Sequence, residues 1–278
     1  MEVVEGLEVA ASAFFNGSDF LRDGDGRIAG YLNFEEKKEA NGGTGETCGE
    51  MGTTFIGTND SHRLFSSIIG RPGIVEKLRD IGFHGVFDIN CIVDMDDPKG
   101  IVALEPTMRF GIPATSYEMI EGMVSDPAEV IASCARGTSL PEGLQLHEGV
   151  GMVMCVVAKP FPCEMDVEEK ATSLGERLWI LNPQSGQPSP TGDFSEEQRE
   201  HIHLYNFELA VDGESGESCY KVVTKNGYLL TVTGRSGTSI KQVRKNLIEC
   251  IKDNLYLSGM KYRTDVGSRI EEQEESLL

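Results

Sequence analysis

Basic residues are scarce in this chain. Lys and Arg total 25 against 45 Asp and Glu, a formal net charge of -20 over 278 residues. A surface of that sign offers nothing attractive to a phosphate backbone and is repelled by an anionic membrane, so neither nucleic acid nor membrane is an expected partner. Cysteine is sparse too: there are seven, an odd number, and no two form a Cys-x-x-Cys pair. That pattern indicates neither a disulfide framework nor a zinc site; the cysteines read as buried apolar residues of a cytosolic protein. No apolar run is long enough to span a bilayer and the acidic, polar start lacks a signal-peptide pattern, so a cytoplasmic location is expected. No internal repeat is visible. What is present is 39% hydrophobic residues, enough for real cores, on a length that suits two domains or one large one.

Residues 1–16 read as two strands about Gly6, so early a commitment to strand that the chain is expected to start inside a domain. Residues 17–60 are rich in Gly, Asp, Glu, Asn and Thr and read as long loops. Residues 72–81 read as a helix, with Pro72 in its first turn and Gly82 as its stop. The segment GVFDINCIV, residues 85–93, alternates like a strand; a turn at 96–100 and a returning strand at 101–104 make it a hairpin. A helix begins near Tyr117 and extends toward residue 135. A boundary falls within 140–151, dividing the chain into 1–143 and 144–270, followed by an acidic tail, 271–278, expected to fray. The second part is mostly strands, at 150–158, 177–181, 208–211, 220–224 and 228–233, with a loop at 182–200. Its one long helix, 239–255, places Ile240, Val243, Leu247, Ile251 and Leu255 at helical spacing. The fold class is α+β.

Residues two apart on a strand share a face. Asp88 and Asn90 therefore point the same way, as do Glu105, Thr107 and Arg109 if the strand continues past Pro106. Hairpin pairing would gather oxygens suited to Mg²⁺ beside a guanidinium suited to phosphate. An ordinary polar hairpin is the alternative. Glu2 and Glu8, around Gly6, suit nucleotide contact or are simply solvated. The loop 37–52, KKEANGGTGETCGEMG, offers glycines and lysines to a phosphate, yet it lacks P-loop spacing and carries Glu46 and Glu50. A mobile surface loop is the other reading. Arg263 and Asp265 in YRTDVG suit an ion pair or cap. His201 and His203 form an H-x-H with no third ligand, which is short of a zinc site.

Several segments occur in a telling order: MEVVEGLEVAASAFFNG, CGEMGTT, LEPTMRFGIPAT, GVGMVMCVVAKPFP, NGYLLTVTGRSGTSIKQVRKNL and GMKYRTDVG. Together they resemble the C-terminal half of the phosphoribosylamine–glycine ligase (glycinamide ribonucleotide synthetase) family of ATP-grasp enzymes. LEPTMRFGIPAT is similar to the family's Glu-x-Asn-x-Arg-Phe-Gly-Asp-Pro-Glu. The resemblance implies the C-terminal lobe of an ATP-grasp domain, an antiparallel sheet with helices, then a β-rich domain with one long helix. It implies the cofactors ATP and Mg²⁺, and ligation of a small carboxylate to an amine through an acyl phosphate, in purine biosynthesis. Glu105, Asn90 and Thr107 take the metal positions and Arg109 the catalytic one. The Val4 backbone takes the adenine position and Glu8 the ribose position, with Glu2 beside them. Thr107 replaces the family's Asn, Glu50 a Gly, and Ile112 and Ala114 two acidic residues. The family's N-terminal half is missing, so the chain is expected to act with a separate N-terminal half, or else to be a catalytically degenerate binding or interaction module.

Overall fold

The computed structural model describes residues 6–94, 100–111, 114–162, 172–189, 193–213, 216–237 and 239–273. The chain opens with β1 (Leu7–Phe15), β2 (Ala29–Glu35), a short pair β3 (Lys38–Ala40) and β4 (Thr44–Thr47), and β5 (Gly52–Asn59). Two short helices follow, α1 (Arg63–Ile69) and α2 (Ile74–Asp80), then β6 (Gly85–Val93), β7 (Ile101–Thr107), α3 (Ala114–Glu121) and α4 (Pro127–Arg136). The remainder comprises β8 (Val150–Val157), β9 (Arg177–Ile180), α5 (Glu196–His201), β10 (Ile202–Leu204), β11 (Phe207–Val211), β12 (Ser218–Val222), β13 (Tyr228–Ser236), α6 (Ile240–Asn254) and β14 (Leu255–Tyr256).

Eight of the strands make one sheet, in the order β10-β13-β8-β5-β2-β1-β6-β7. A second sheet has the order β11-β12-β9-β14. Every pairing in the large sheet is antiparallel. β1 sits inside the large sheet, between β2 and β6, and is buried from Val9 to Phe15, which explains its small and apolar run VAASAFF. Alternation then sorts its residues between two faces. Val9, Ala11, Ala13 and Phe15 join Leu32, Phe34, Ile56, Met152 and Met154 in the main core, with Phe65 of α1, Leu78 of α2 and Leu247 of α6. On the opposite face Phe14, Tyr31, Phe55 and Val86 pack with Met119 of α3 and Val130 and Cys134 of α4.

The join between β5 and β8 carries the large sheet from the first half of the chain into the second, pairing Gly52 with Met154 through Ile56 with Val150. It therefore runs through the region where the sequence suggests a boundary. The approach is close. A Cβ on Gly151 would lie 2.0 Å from the Phe55 ring, and one on Gly52 would lie 2.8 Å from the Val153 carbonyl oxygen. Arg263, 1% exposed, reinforces the same join. Its guanidinium meets Asp265 through two contacts of 2.8 Å, Glu36 at 3.0 Å and the Lys38 carbonyl at 3.2 Å. Asp265 in turn accepts from the Gly42 amide at 2.7 Å, and Asn41 and Thr264 bond each other twice. The YRTDVG segment is thus an ion-pair clamp on the loop after β2.

Local chemistry sets the helix ends. Asp126 caps α4 through the Ala128 amide at 2.8 Å, Pro127 opens the helix, and Gly137 closes it at φ 72°. That cap is why the helix expected from Tyr117 toward residue 135 is two helices. α6 buries Ile240, Val243 and Leu247 on its inner face, with Ile251, and Leu255 follows at its C-cap, also buried. Residues 17–60 are not long loops: β2 and β5 are central strands, and their Tyr31, Leu32, Phe34, Phe55 and Ile56 are buried. The Gly- and acid-rich neighbours hide that pattern in composition. α1 is a helix that no sequence signal above marks. The expected loop 182–200 ends in α5, announced by a capping box of Ser195 and Gln198. The tail is anchored at its start, because residues 268–273 form a 3₁₀ turn and Glu271 pairs closely with Arg244. The expected turn at 96–100 lies mostly, and residues 274–278 wholly, outside the described residues. Among the described residues no helix is long and apolar enough to cross a membrane.

Two substitutions test this join. Gly151→Ala drives a methyl into a buried ring and is expected to lower unfolding free energy by about 1–3 kcal/mol, read from the urea midpoint. Arg263→Ala leaves Glu36 buried without its cation, an expected loss of about 3–5 kcal/mol in the same measurement.

Candidate functional site

The hairpin of β6 and β7 continues past Pro106, which is tolerated because β7 is the edge strand of the sheet. Its register sets Asp88 opposite Thr107 and Asn90 opposite Glu105. On the other side of β6, Asp88 faces Ser12 and Asn90 faces Ala10, and Ala10 faces Asn33 of β2. The sheet therefore brings together the oxygen-bearing residues that the sequence places two apart. Asn90 donates through Nδ2 to Thr107 Oγ1 at 3.1 Å. Glu105 is exposed, and exposed Arg109 donates to the Phe110 carbonyl at 3.2 Å. Asp88 is only 6% exposed. Burial first, and the Glu35 carboxylate second, push its carboxyl up to about 7, against the pull of Lys37 and Arg109.

More carboxylates share this face. Half-buried Glu8 lies 3.9 Å from Lys37 Nζ, which also pairs closely with Glu35. Burial alone would lower the Lys37 pKa; the Glu35 carboxylate and its hydrogen bond, with Glu50 and Glu8, outweigh it and keep the ammonium charged. Glu50 accepts from the Thr53 hydroxyl, and burial followed by Glu35 pushes its carboxyl up to about 8. Glu118 reaches the face from α3, fully buried, and accepts from Ser12 Oγ at 3.3 Å. Burial and then Asp88 hold its carboxyl well above the ordinary range. The loop 37–52 is tied down rather than free, by Cys48 N to the Lys37 carbonyl and Met51 N to the Glu36 carbonyl, both at 2.9 Å.

Glu2 and Val4 lie outside the described residues. Of the other expected site residues, Asn90, Thr107 and Glu105 form one patch with Arg109 just beyond it, and Glu8 stands on the neighbouring strand β1, opposite Ile92. The donor set fits a hard cation in one respect: Asn90 Oδ1 and Asp88 Oδ1 are buried oxygens with no hydrogen-bond partner among the described residues. Among the described residues no three His, Cys, Asp or Glu side chains group so as to hold a metal ion. A cation here would thus draw on amide, hydroxyl and ligand oxygens beside a carboxylate such as Glu105. Glu35 and Glu118 are members that the sequence alone does not reveal. Glu118 lies 106 residues from Ser12, and no spacing rule spans that distance.

The histidine pair has another role. His201 ends α5 and meets Glu121 Oε1 at 3.2 Å, while His203 bonds Thr233 Oγ1 at 2.9 Å and lies against the Tyr117 ring. Thr233 also donates to Glu121 at 2.6 Å. The two imidazoles pin α3 to β13.

No protein-family model and no curated protein matches the chain. Solved structures do. A phosphoribosylamine–glycine ligase from Thermotoga maritima is similar at 17% identity and a TM-score of 0.59, over 96% of this chain and 57% of that one. A biotin carboxylase from Campylobacter jejuni, in a complex with β-γ-ATP, is similar at 11% identity and 0.54, over 99% and 52%. The biotin carboxylase domain of Hydrogenobacter thermophilus 2-oxoglutarate carboxylase, with Mg-ADP and bicarbonate, is similar at 12% identity and 0.51, over 93% and 48%. The chain has the fold of these ATP-grasp enzymes, a mixed α+β fold of antiparallel sheets, and spans about half the length of each.

The raised carboxyls have a pH consequence. A carboxyl that titrates higher folded than unfolded binds more protons when folded, so its contribution is fully present below the ordinary carboxylate range and is lost as pH rises. For Glu50 that loss completes near pH 8. The Tm should fall between about pH 5 and pH 8, and Glu50→Gln should flatten the fall and raise Tm above pH 8, each pKa unit corresponding to ~1.4 kcal/mol. A profile as steep as the parent's would mean that Glu50 is ionised throughout.

Proposed function

We propose that this chain is the C-terminal part of an ATP-dependent carboxylate–amine ligase of the phosphoribosylamine–glycine ligase type, acting through an acyl phosphate with Mg-ATP. The observation that carries the reading is the row Asn90–Glu105 and Asp88–Thr107, paired across an edge hairpin beside Arg109 on an ATP-grasp fold. Glu105 and the free Asn90 Oδ1 would hold Mg²⁺, with the Thr107 hydroxyl beside them. The ion would neutralise phosphate oxygens and supply Lewis acidity when bound. Arg109 is the cation on this edge able to meet the transferring phosphoryl or the acyl phosphate, by preorganised electrostatics. Glu8 would accept from a ribose hydroxyl, with Glu2 and the Val4 backbone toward the base. Lys37 supplies the positive charge between Glu8 and Glu35.

A separate N-terminal half, encoded with this chain or supplied by a partner, belongs to the proposal, because the chain spans 57% of the ligase structure it matches. The substrate pair differs from phosphoribosylamine and glycine, since Glu50, Ile112 and Ala114 depart from the family's residues. A second reading, a degenerate binding module, is favoured by one feature: Thr107 stands where the family has a metal-ligating Asn, and its hydroxyl is engaged by Asn90.

Calorimetric titration with Mg-ATP separates the two. The ligase reading expects saturable heat from the parent, weakened at least ~10-fold, or about 1.4 kcal/mol, by Glu8→Ala and by Glu105→Ala. Absence of heat from a folded chain, persisting after an N-terminal ligase half is added, would favour the binding module.

A further inference from the structure

The hairpin that carries the proposed metal site has a second side. Alternation turns Asp88, Asn90, Glu105 and Thr107 to one face and Phe87, Ile89 and Pro106 to the other. α2 lies against that other face, with Leu78 buried in the main core and Ile74 packed against it. The helix is only seven residues long and leaves β7 uncovered, so Ala103 stays exposed. The register shift between Asn90 and Cys91 makes Leu104 the extra residue of the hairpin, and it is 50% exposed. Between helix and hairpin lies a pocket of about 590 Å³. That volume falls within the range of small-molecule sites, ~300–1,000 Å³. Phe87, Ile89 and Ala103 line it from the sheet, and Ile74, Leu78 and Ile81 from the helix side.

Charge is sorted around this apolar floor. Arg71 and Lys77 line the pocket on the helix side and are exposed, and among the described residues neither pairs with a carboxylate. Burial pushes the Cys91 thiol up to about 11 and the Arg71 guanidinium opposes it, which sets that charge near the underside of the hairpin. The acidic residues of α2, Glu76 and Asp80, are absent from the lining, and Glu105 enters it from the β7 side. Unpaired cations over an apolar floor are an exception in a chain of net charge -20. They select an anionic head, and the floor selects an apolar body. A guanidinium suits a carboxylate through paired N–H donors. Glu105 repels such a head, so the head belongs at Arg71 and Lys77 and the body runs under the hairpin toward β7. A pairing strand is a poorer occupant, because Pro106 removes a donor from the β7 edge and the extra Leu104 breaks its spacing.

We infer that this pocket binds an alkyl carboxylate of medium chain length, its carboxylate on Arg71 and Lys77 and its chain on Phe87, Ile89 and Ala103. The inference does not rest on the ligase reading, since apart from Glu105 the pocket uses none of the residues assigned there. The experiment is calorimetry on the full chain in ~150 mM NaCl, which screens the general repulsion of an acidic surface. Decanoate, kept below the concentration at which it forms micelles, is the probe; acetate, decanol and decyltrimethylammonium are comparators. Saturable decanoate binding is expected, weakened ~10-fold or more in the Arg71→Gln, Lys77→Gln double variant. Ala103→Trp, which fills the pocket from an exposed position, should abolish it, and Lys241→Gln on the exposed side of α6 should leave it unchanged. All three changes lie at exposed positions and should keep the circular dichroism of the parent. Shortening the chain to octanoate should weaken binding by up to ~4-fold per methylene, or ~0.8 kcal/mol. Acetate should give no heat, and decanol should bind more weakly than decanoate. Absence of decanoate binding by the folded parent overturns the inference. So does decyltrimethylammonium binding as tightly as decanoate, or decanoate binding that survives Ala103→Trp. Light scattering adds one more check: a parent dimer that Ala103→Trp dissociates also overturns it, because the pocket would then be a contact between copies of the chain.

Discussion

The pairing of Gly52–Ile56 in β5 with Val150–Met154 in β8 is the constraint on which the rest of the structure depends. It joins strands from both halves of the chain into a single sheet, and a sheet has only two faces to distribute. Close approach makes it possible. Gly151 admits the Phe55 ring, and Gly52 admits the Val153 carbonyl and Val266. Arg263 then spends its buried charge on the same region, holding the segment after β2 through Glu36, Asp265 and the Lys38 carbonyl. The loop 37–52 could be mobile in isolation. Clamped, it delivers Lys37 and Glu50 to the face that carries Asp88.

That face is electrostatically unusual. The opposite face is packed mainly by the apolar side chains of the main core. Here Glu35, Glu50, Asp88 and Glu118 sit within one another's influence, with the half-buried Lys37 beside them. Desolvation is the leading cause of every raised carboxyl in the group, and mutual repulsion the next. Such an arrangement is expensive for folding, because each carboxyl gives up hydration and gains repulsive neighbours. α3 is part of this balance: it turns Glu118 and Glu121 inward, where Ser12, Thr233 and His201 receive them.

The legible parts of the chain share a property. β6 spans the same residues, 85–93, as the alternating segment that announces it, and α6 presents the helical stripe read from its apolar spacing. The register that sets Asn90 against Glu105 was not legible: a bulge between Asn90 and Cys91 shifts the pairing by one residue, and regular alternation from Val93–Ile101 would set Asn90 against Leu104. β2 and β5 were obscured because glycines and acidic residues beside them shift the local composition toward loop, although their own apolar residues belong to the core. α1 and α5 are short, seven and six residues, and short helices take their stability from packing rather than from periodicity.

By itself, then, the sequence determined the class of the fold, the hairpin with its oxygen-bearing residues, the long amphipathic helix and the nearness of Arg263 to Asp265, because each depends on residues within a turn or a strand of one another. Only the tertiary structure decided that the two halves share one sheet, that Glu118 answers Ser12, and that Glu50 and Lys37 stand over the same face. Those relations join residues far apart in the chain, and what selects them is the burial of a whole face, which no local pattern encodes.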